Sequence, residues 1–398
     1  MRRTCEILVA GGGVAGLSAA CTFAAAGFET LCVDPVPPIT DVEQKGADLR
    51  STAFLLPSVE LLSESGLWDE LSAHAAPLST MRILDSGGEA GVIREQADFL
   101  ASDLSLPAFG YNLPNTLLRK KMLDFLAKLQ NFQLLAPESV GKITPRSSGA
   151  LVQLASGDQV AANLVIAADG RDSALREQLG ISVKTWRYGQ KAIVFNVIHT
   201  DPHQNVSTEI HRSGGPFTLV PLEDPYKSAV VWMERGPRAA ELLAMDDVEF
   251  NSALTERACG SLGAIEIIGR RALWPIIAQR AERLNGPRTA LLAEAAHVIP
   301  PIGAQGLNMS LADLRHLKDL VVEARNNGRD IGEPALLQRY HRNRWPDMAA
   351  RIAGVDLLNR TSMAGTPFLK DLRRTGLKYL HGIKPLRNEL MKRGLGAK

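Results

Sequence analysis

The chain has 398 residues, of which 45% are hydrophobic and 22% are charged, and its formal net charge is +2. This composition is typical of a folded α/β enzyme of about two domains, and no apolar run approaches the roughly 18 residues that a membrane-spanning helix needs. We therefore expect a cytoplasmic protein without a membrane span. The cysteines show no C-x-x-C spacing, so we assign neither a disulfide nor a metal site to Cys5, Cys21, Cys32 and Cys259.

The N-terminal segment follows the dinucleotide-binding fingerprint. Residues 7–10 predict a buried strand, and a helix follows from about Val14 to Ala26, with Ala15 in its first turn. The turn between them carries the G-x-G-x-x-G glycines, which are Gly11, Gly13 and Gly16. These glycines permit the tight turn, the close approach of a pyrophosphate and the close packing of helix on strand. The alternative is a glycine-rich turn that binds nothing.

A second strand at Thr30–Val33 ends beside Asp34. The Asp34 carboxylate lies at the distance from the glycines at which an acid accepts hydrogen bonds from a ribose diol. An acid at this position suits an adenosine without a 2′-phosphate. The segment therefore strengthens the prediction of a bound nucleotide.

Two later segments follow in the order that one nucleotide cofactor requires. Residues 165–168 predict a strand that leads into Asp169 and Gly170. Residues 291–311, LLAEAAHVIPPIGAQGLNMSL, predict a buried strand, a Pro/Gly-rich turn and the start of a helix. The free N–H groups at such a helix N-terminus stabilise a phosphate or a ring that gains negative charge on reduction. Together the three segments indicate bound FAD.

Residues between these segments predict an inserted sheet. Residues 115–130 read as a helix, residues 132–168 as short strands, and alternating strands dominate from about 181 to 284. The clearest of these strands are 192–198, 217–222 and 228–233, and the last cofactor strand resumes at about 289.

This pattern predicts two interleaved domains. A discontinuous FAD-binding domain is expected at 1–75, 100–180 and 285–360, a substrate domain at 76–99 and 181–284, and a basic helical segment at 361–398. We expect the substrate where the inserted sheet faces the turn at 300–306.

The last 38 residues form a basic tail. Residues 361–398 hold nine Lys and Arg against Asp371 and Glu389, so the tail carries +7 and the rest of the chain −5. Apolar residues are interspersed with the charges, which is compatible with a basic amphipathic segment on anionic lipid. A solvated C-terminal helix is the alternative, and both stay open. We expect no nucleic-acid partner.

The motifs carry a family resemblance. The order GGGVAG, ADLRSTAF, ADGRDSALR and AEAAHVIPPIGAQGLN is similar to that of the class A flavoprotein monooxygenases. Within them the chain most resembles the ubiquinone-biosynthesis hydroxylases, on the strength of WRYGQKAIV, GPFTLVPL, SAVVW and PPIGAQGLN at 186–194, 215–222, 228–232 and 300–308. The resemblance implies an α/β fold with a Rossmann-like FAD-binding domain of the p-hydroxybenzoate hydroxylase type, an inserted mixed β-sheet substrate domain and a helical C-terminus.

The resemblance also implies roles for individual residues. Arg50 would reach the phosphate or flavin region of FAD, Asn115 would begin a helix along the cofactor, and Asp169 and Gly170 would contact FAD and, in many members, are associated with the pyridine nucleotide. No catalytic residue is assigned, because the flavin carries the chemistry, with Pro301, Gly303 and Gln305 near it. The implied cofactor-binding set is Gly11, Gly13, Val14, Ala15, Gly16, Asp34, Arg50, Asn115, Asp169, Gly170, Glu294, Gly303, Gln305, Gly306, Leu307 and Asn308.

One position departs from the family pattern. Members usually have Gly-Asp before Ala-Ala-His, with the aspartate bonding the ribityl chain, whereas this chain has Ala293 and Glu294. Glu294 keeps the carboxylate, so we expect FAD to be retained. We expect His297 to order the turn through hydrogen bonds rather than to act as a base. Other histidines lie at irregular spacing, so no metal is assigned to His199, His203 and His211.

The implied reaction hydroxylates the aromatic ring of a polyprenylated phenol in ubiquinone biosynthesis through a flavin C4a-hydroperoxide. O2 is the co-substrate, and NAD(P)H or an external donor supplies electrons. A basic tail on the inner membrane, and contact with other ubiquinone-biosynthesis proteins, would suit such a substrate. Two alternatives stay open, namely a soluble hydroxylase of small phenolic acids and a non-catalytic flavoprotein subunit of a biosynthetic complex.

Overall fold

The protein is described by a computed structural model that covers residues 2–87, 91–212, 214–363, 371, 374–376 and 381–395. The prediction of an amphipathic tail rests largely on residues outside these ranges. They are the apolar positions 368, 369, 372, 377, 379 and 380 and the basic positions 370, 373, 378 and 398. No helix within the described part of the chain is long and apolar enough to cross a membrane.

The strands are β1 (Arg2–Ala10), β2 (Thr30–Val33), β3 (Ser51–Leu55), β4 (Ala76–Leu78), β5 (Thr80–Asp85), β6 (Glu95–Leu100), β7 (Gly110–Pro114), β8 (Phe132–Leu135), β9 (Val140–Arg146), β10 (Gly149–Leu154), β11 (Gln159–Ala167), β12 (Val183–His199), β13 (Val206–His211), β14 (Pro216–Pro221), β15 (Lys227–Arg235), β16 (Ile265–Ala281), β17 (Asn285–Gly286), β18 (Thr289–Leu291) and β19 (His297–Val298). The helices are α1 (Val14–Ala25), α2 (Leu56–Glu64), α3 (Leu67–Leu71), α4 (Asn115–Leu126), α5 (Ala174–Gln178), α6 (Gly236–Ala244), α7 (Asp247–Arg257), α8 (Gln305–Asn326), α9 (Pro334–Ser362) and α10 (Lys384–Leu395). Short 3-10 turns occur at Ser72–His74, Ala101–Leu104 and Ala293–Ala295.

The first sheet carries the predicted nucleotide motifs. Its strand order is β17-β18-β11-β1-β2-β8, and the pairs β18–β11, β11–β1, β1–β2 and β2–β8 are all parallel. Residues 7–10 are buried because helices cover the parallel sheet, which explains their continuous apolar run. The predicted strand at 7–10, the helix from Val14 and the strand at Thr30–Val33 are confirmed. The helix predicted at 115–130 is shorter than expected and ends at Leu126.

A second sheet of eight strands is inserted between the motifs. Its order is β19-β16-β12-β15-β14-β13-β5-β6, and all its pairs are antiparallel except β13–β5. The strands predicted at 192–198, 217–222 and 228–233 are confirmed as parts of β12, β14 and β15, although β14 ends at Pro221. Helices α6 and α7, which are not among the elements predicted from the sequence, cover one face of this sheet, where Phe250 packs edge-on against Phe195 with ring centroids 5.1 Å apart.

The fold also contains a small third sheet and an apolar cluster between its two main parts. A three-stranded sheet in the order β3-β7-β4 lies in the segment between β2 and β8. An apolar cluster joins the inserted sheet to the FAD-binding part of the fold and consists of Leu49, Ala192, Val194, Met233, Ile276, Ile302 and Val355. Burial of such side chains stabilises the fold by about 1.5–3 kcal/mol each. The cluster therefore fixes the inserted sheet against the turn that contains Ile302.

Candidate active site

Many of the predicted cofactor residues lie at one edge of the first sheet, directly after the ends of neighbouring parallel strands. The carboxyl ends of β2, β1 and β11 lead into Asp34, the glycine turn and Asp169, and β18 is followed by the 3-10 turn that holds Glu294. In open α/β sheets, ligands bind in the crevice outside the carboxyl ends of the strands. The fold thus places the glycine turn and these three acids along one crevice.

The glycines of this crevice fall into two groups. A Cβ at Gly11 would collide with the carbonyl oxygen of Ala168, and a Cβ at Gly16 would collide with that of Gly11, so both are required by backbone packing. Other glycines face open space, because an added Cβ would meet no protein atom within 4 Å at Gly13, Gly170, Gly303 and Gly306. Open backbone at a helix N-terminus is the surface that a pyrophosphate needs. The turn therefore fits a bound dinucleotide.

Asp34 is held beside the glycine turn. Its Oδ2 accepts a hydrogen bond from the backbone N–H of Gly12, and its Oδ1 accepts one from Val36 at 2.8 Å. The Asp34 carboxylate is only half-buried, so further acceptor positions remain open to a ribose hydroxyl. This position agrees with the role expected from the sequence.

Arg50 lies in a network that includes a residue not singled out from the sequence, Asp48. Arg50 donates from Nε and Nη2 to the two oxygens of Asp48, both at 2.8 Å, and Asn115 donates to Asp48 Oδ2 at 2.9 Å. Burial disfavours the charged guanidinium, but the bonds and charge of Asp48 and the charge of Glu294 raise the pKa of Arg50 above its ordinary value. Arg50 is therefore a fixed cation whose side chain remains 39% exposed.

Asp169 and Glu294 occupy different environments at the same edge. Asp169 accepts from the Ser173 hydroxyl at 2.5 Å and from the N–H of Leu175 at 3.1 Å, so it fixes the turn before α5. Glu294 is 41% exposed, and its Oε2 lies 3.4 Å from Nε of Arg171. Glu294 therefore lies beside one cation, Arg171, and its charge also helps to raise the pKa of a second, Arg50.

The turn at 299–304 is shaped by residues at the start of α8. Gly303 and Ala304 both have left-handed backbone conformations, with φ of 62° and 55°. Gln305 is the first residue of α8, and Asn308 uses its whole amide within the protein, accepting from Leu55 and Ser58 and donating to Ala53 and Ala304. Asn308 thus ties α8 to β3. Pro301 and Gly306 are exposed and Leu307 is half-buried, which leaves this face of the turn accessible.

His297 is buried and belongs to a charged cluster behind the turn. His297 Nε2 lies 2.7 Å from Asp313 Oδ2, and Arg344 donates from Nε to the other Asp313 oxygen at 2.6 Å. Burial raises the pKa of Asp313, but the hydrogen bond with His297 and the charge of Arg344 outweigh it and hold that pKa below its usual value. A histidine that is 2% exposed and paired in this way supports the expected ordering role. Asp313 and Arg344 were not predicted from the sequence.

The YGQ motif connects the inserted sheet to α9. Tyr188 donates its hydroxyl to Asp356 at 2.6 Å, and Gln190 accepts from Asn359 at 2.8 Å. Gln190 also donates to the carbonyl of Gly214 at 2.6 Å. These bonds hold the inserted sheet in place opposite the turn.

No group of three or more His, Cys, Asp or Glu residues with a geometry suited to a metal occurs in the described ranges. His199 bonds to the Asp201 carbonyl and the Ser228 hydroxyl, and His203 bonds to the Leu222 carbonyl. The structure therefore gives these two histidines packing roles within the inserted domain.

Comparison with known proteins agrees with this geometry. A family model described as an FAD binding domain matches residues 4–353. The chain is 32% identical to ubiquinone hydroxylase UbiL from Rhodospirillum rubrum, over 99% of this chain and 90% of that protein. It is 28% identical to 3-demethoxyubiquinol 3-hydroxylase from Escherichia coli, over 98% of each. The solved structure of p-nitrophenol 4-monooxygenase PnpA from Pseudomonas putida DLL-E4 shares the fold, with a TM-score of 0.80, 18% identity and coverage of 100% of this chain and 99% of that one.

The fold and the site define an FAD-dependent monooxygenase of class A, with the p-hydroxybenzoate hydroxylase type of fold. The chain belongs to the FAD-binding-domain family and stands close to the ubiquinone hydroxylases within it. The predictions of fold class, cofactor and enzyme class are confirmed. The roles of individual residues toward FAD stay predictions.

Proposed function

We propose that this enzyme hydroxylates the aromatic ring of a polyprenylated phenol in ubiquinone biosynthesis, using FAD and O2. The observation that carries the proposal is similarity along almost the whole chain to proteins named as ubiquinone hydroxylases, at 32% identity for one and 28% for another. The match includes the inserted sheet, which faces the turn, and not only the FAD motifs. The two alternatives, a hydroxylase of small phenolic acids and a non-catalytic subunit, are not favoured.

FAD supplies the redox chemistry when it is bound, namely the acceptance of two electrons and the activation of O2. The Gly13 turn and Asp34 would hold its ADP half. Arg50 and the N-terminus of α8 place positive charge at the other end of the crevice, where they would stabilise an anionic ring. Ile302 and its apolar neighbours on the inserted sheet would exclude water from the reacting carbon.

NAD(P)H is the reductant we propose. The chain has one dinucleotide fingerprint, at Gly11 to Gly16, so a pyridine nucleotide would bind transiently rather than in a second Rossmann site. Arg171, whose side chain is 24% exposed beside Asp169 and Gly170, offers a cation at the open edge of the crevice for a phosphate of that nucleotide.

We propose that the tail brings the enzyme to the inner surface of the membrane, where a prenylated substrate and other ubiquinone-biosynthesis proteins would meet it. Lys384 and Lys392 are exposed on α10, and Ile383 next to that helix is 48% exposed. Exposed basic and apolar groups on one segment suit an anionic lipid surface. Loss of membrane-associated protein after deletion of residues 366–398 would support this location, whereas unchanged partition would contradict it.

The function is tested by the quinones of a strain that lacks the gene. Extraction and mass analysis should show a prenylated precursor that lacks one oxygen, and restoration of the gene should remove it. A normal quinone profile in a strain without a redundant hydroxylase would contradict the proposal. Restoration with a Gly13→Val variant is the matched control, because that change fills the space expected for the pyrophosphate.

A further inference from the structure

Helix α10 rests on an apolar cluster that is separate from the main core. The cluster draws its side chains from β3, the β5–β6 hairpin, the 101–104 turn, the segment before β7 and α10 itself. Its members are Leu55, Met81, Phe99, Ala101, Leu104, Leu106, Phe109 and Met391. Four of these, Met81, Phe99, Leu104 and Leu106, are only partly buried, so the cluster reaches the protein surface.

Polar contacts at two points hold α10 in place. Arg387 Nη2 lies 3.0 Å from Asp103 Oδ2, and the carbonyl of Gly394 accepts a hydrogen bond from Gln305 at 3.2 Å. These points are separated by about 10 Å of helix. Between them, Met391 is the one buried side chain of α10 among those the structure describes. The side chain of Met391 is flexible, and its burial and the contacts of Arg387 and Gly394 are attachments of α10 that a competing apolar group can replace.

The cluster borders the helix that begins at the turn where the flavin ring is expected. Leu55, a cluster member, donates its N–H to Asn308 in the first turn of α8 at 2.8 Å. Gln305, which holds the end of α10, is the first residue of the same helix. At the other side, Leu100 is 40% exposed next to Phe99. The cluster therefore borders the start of α8 at Leu55 and reaches the protein surface through its partly buried members.

We propose that α10 is a displaceable cover over the route by which the polyprenyl tail of the substrate reaches the site, and that the tail takes the place of Met391 in the cluster. The inference rests on the proposed function, because only a substrate with a long apolar tail needs such a route. An isoprenoid chain matches a surface of Leu, Met and Phe side chains. When the tail binds, α10 loses its contacts with Asp103 and Gln305.

Amide hydrogen exchange in residues 384–395 of the FAD-loaded enzyme tests this displacement. A farnesylated phenol should accelerate exchange in α10 by at least about tenfold, since the helix leaves its contacts. The same phenol with a methyl group in place of the farnesyl chain is the control and should leave exchange unchanged. Unchanged or slower exchange with the farnesylated phenol would overturn the proposal.

A charge reversal provides a second test. Arg387→Asp places two carboxylates opposite each other and should loosen the cover. The KM for the farnesylated phenol should then fall about threefold, in line with the strength of a single ion pair that is partly open to solvent. Asp103→Arg combined with Arg387→Asp restores an opposite pair and should restore the KM. Equal KM values in the wild type and both variants would count against the cover.

These measurements separate the cover from the proposed reaction. Faster exchange in α10 without formation of a hydroxylated product would support the cover and contradict the proposed hydroxylation. Hydroxylation of the farnesylated phenol while exchange in α10 stays constant would support the reaction and overturn the cover.

Discussion

The indole ring of Trp274 on β16 lies against the guanidinium of Arg50, with Arg50 Cζ 4.6 Å from the ring centroid. Trp274 belongs to the inserted sheet, whereas Arg50 precedes β3 and is paired with Asp48. The contact therefore joins the inserted sheet to the crevice at the residue expected to reach the cofactor. A cation–π contact of this kind contributes roughly 0.5–2 kcal/mol, depending on its exposure.

We predict that Trp274→Leu removes this contribution and Trp274→Phe keeps most of it. In a double-mutant cycle with Arg50→Met, the coupling energy for Trp274→Leu should be about 0.5–1 kcal/mol, because each single change removes the same contact. Urea unfolding of the four proteins measures it. Additive effects of Trp274→Leu and Arg50→Met would show that the stack contributes nothing.

Gly13 and Gly16 should respond to alanine in opposite ways. A Cβ at Gly13 meets no protein atom, whereas one at Gly16 collides with the carbonyl oxygen of Gly11. Gly13→Ala should therefore fold with a loss of less than about 1 kcal/mol but weaken FAD binding at least tenfold, because the Cβ occupies space that the pyrophosphate needs.

Gly16→Ala is the matched variant and should lower the unfolding free energy of the FAD-free protein by about 2 kcal/mol or more, because backbone atoms must move. Fluorescence titration with FAD and urea unfolding of the apoprotein provide the two measurements. Equal FAD affinity in Gly13→Ala and the wild type would show that the cofactor does not approach this turn.

Local signals made the nucleotide half of the fold predictable. The run at 7–10, the glycine spacing and the strand before Asp34 are close in sequence, and each follows from burial or backbone sterics alone. The helix predicted at 115–130 ends at Leu126 because the chain turns there toward β8, which starts at Phe132 and pairs with β2. Tertiary pairing of this kind leaves no local signal.

Contacts between distant segments account for what the sequence did not predict. Trp274 meets Arg50, Arg344 meets Asp313, and Gln305 meets the carbonyl of Gly394, and in each case the partner lies on another element. Composition and periodicity identify which faces are apolar but not which faces meet. For this reason the sequence of the tail, which indicates only a basic and amphipathic segment, did not predict that α10 packs beside α8.

Asp313 gives the protein a stability that depends on pH. Its pKa is held below the ordinary value in the folded state, so its contribution is fully present above the unfolded pKa of about 3.9 and is lost as the pH falls through the folded pKa. Asp313→Asn should lower the unfolding free energy by about 3 kcal/mol at pH 7, because His297 and Arg344 lose a buried partner.

The difference between wild type and Asp313→Asn should shrink as the pH falls below about 4, because the carboxyl of the unfolded wild type protonates there while that of the folded protein is still charged. Thermal or urea unfolding between pH 3 and pH 7 is the measurement. Asp224→Asn is the control, because the Asp224 side chain is 44% exposed and its ion pair with Lys227 is screened by solvent, and it should change stability little at pH 7. If the difference in unfolding free energy between wild type and Asp313→Asn stays constant down to pH 3, the destabilisation comes from altered packing and not from the lost charge.

Ala293 lies where the family usually has glycine, and its backbone is left-handed, with φ of 55°. This conformation costs a residue with a Cβ roughly 1–2 kcal/mol. We predict that Ala293→Gly raises the unfolding free energy by about 1 kcal/mol, since the relief of strain exceeds the added flexibility of the unfolded chain. Ala295→Gly in the same 3-10 turn, at a residue without a left-handed backbone, should instead lower it by about 0.5–1 kcal/mol. Urea unfolding of the FAD-free proteins compares the two, and a loss of stability in both would show that the turn relaxes around Ala293 without strain.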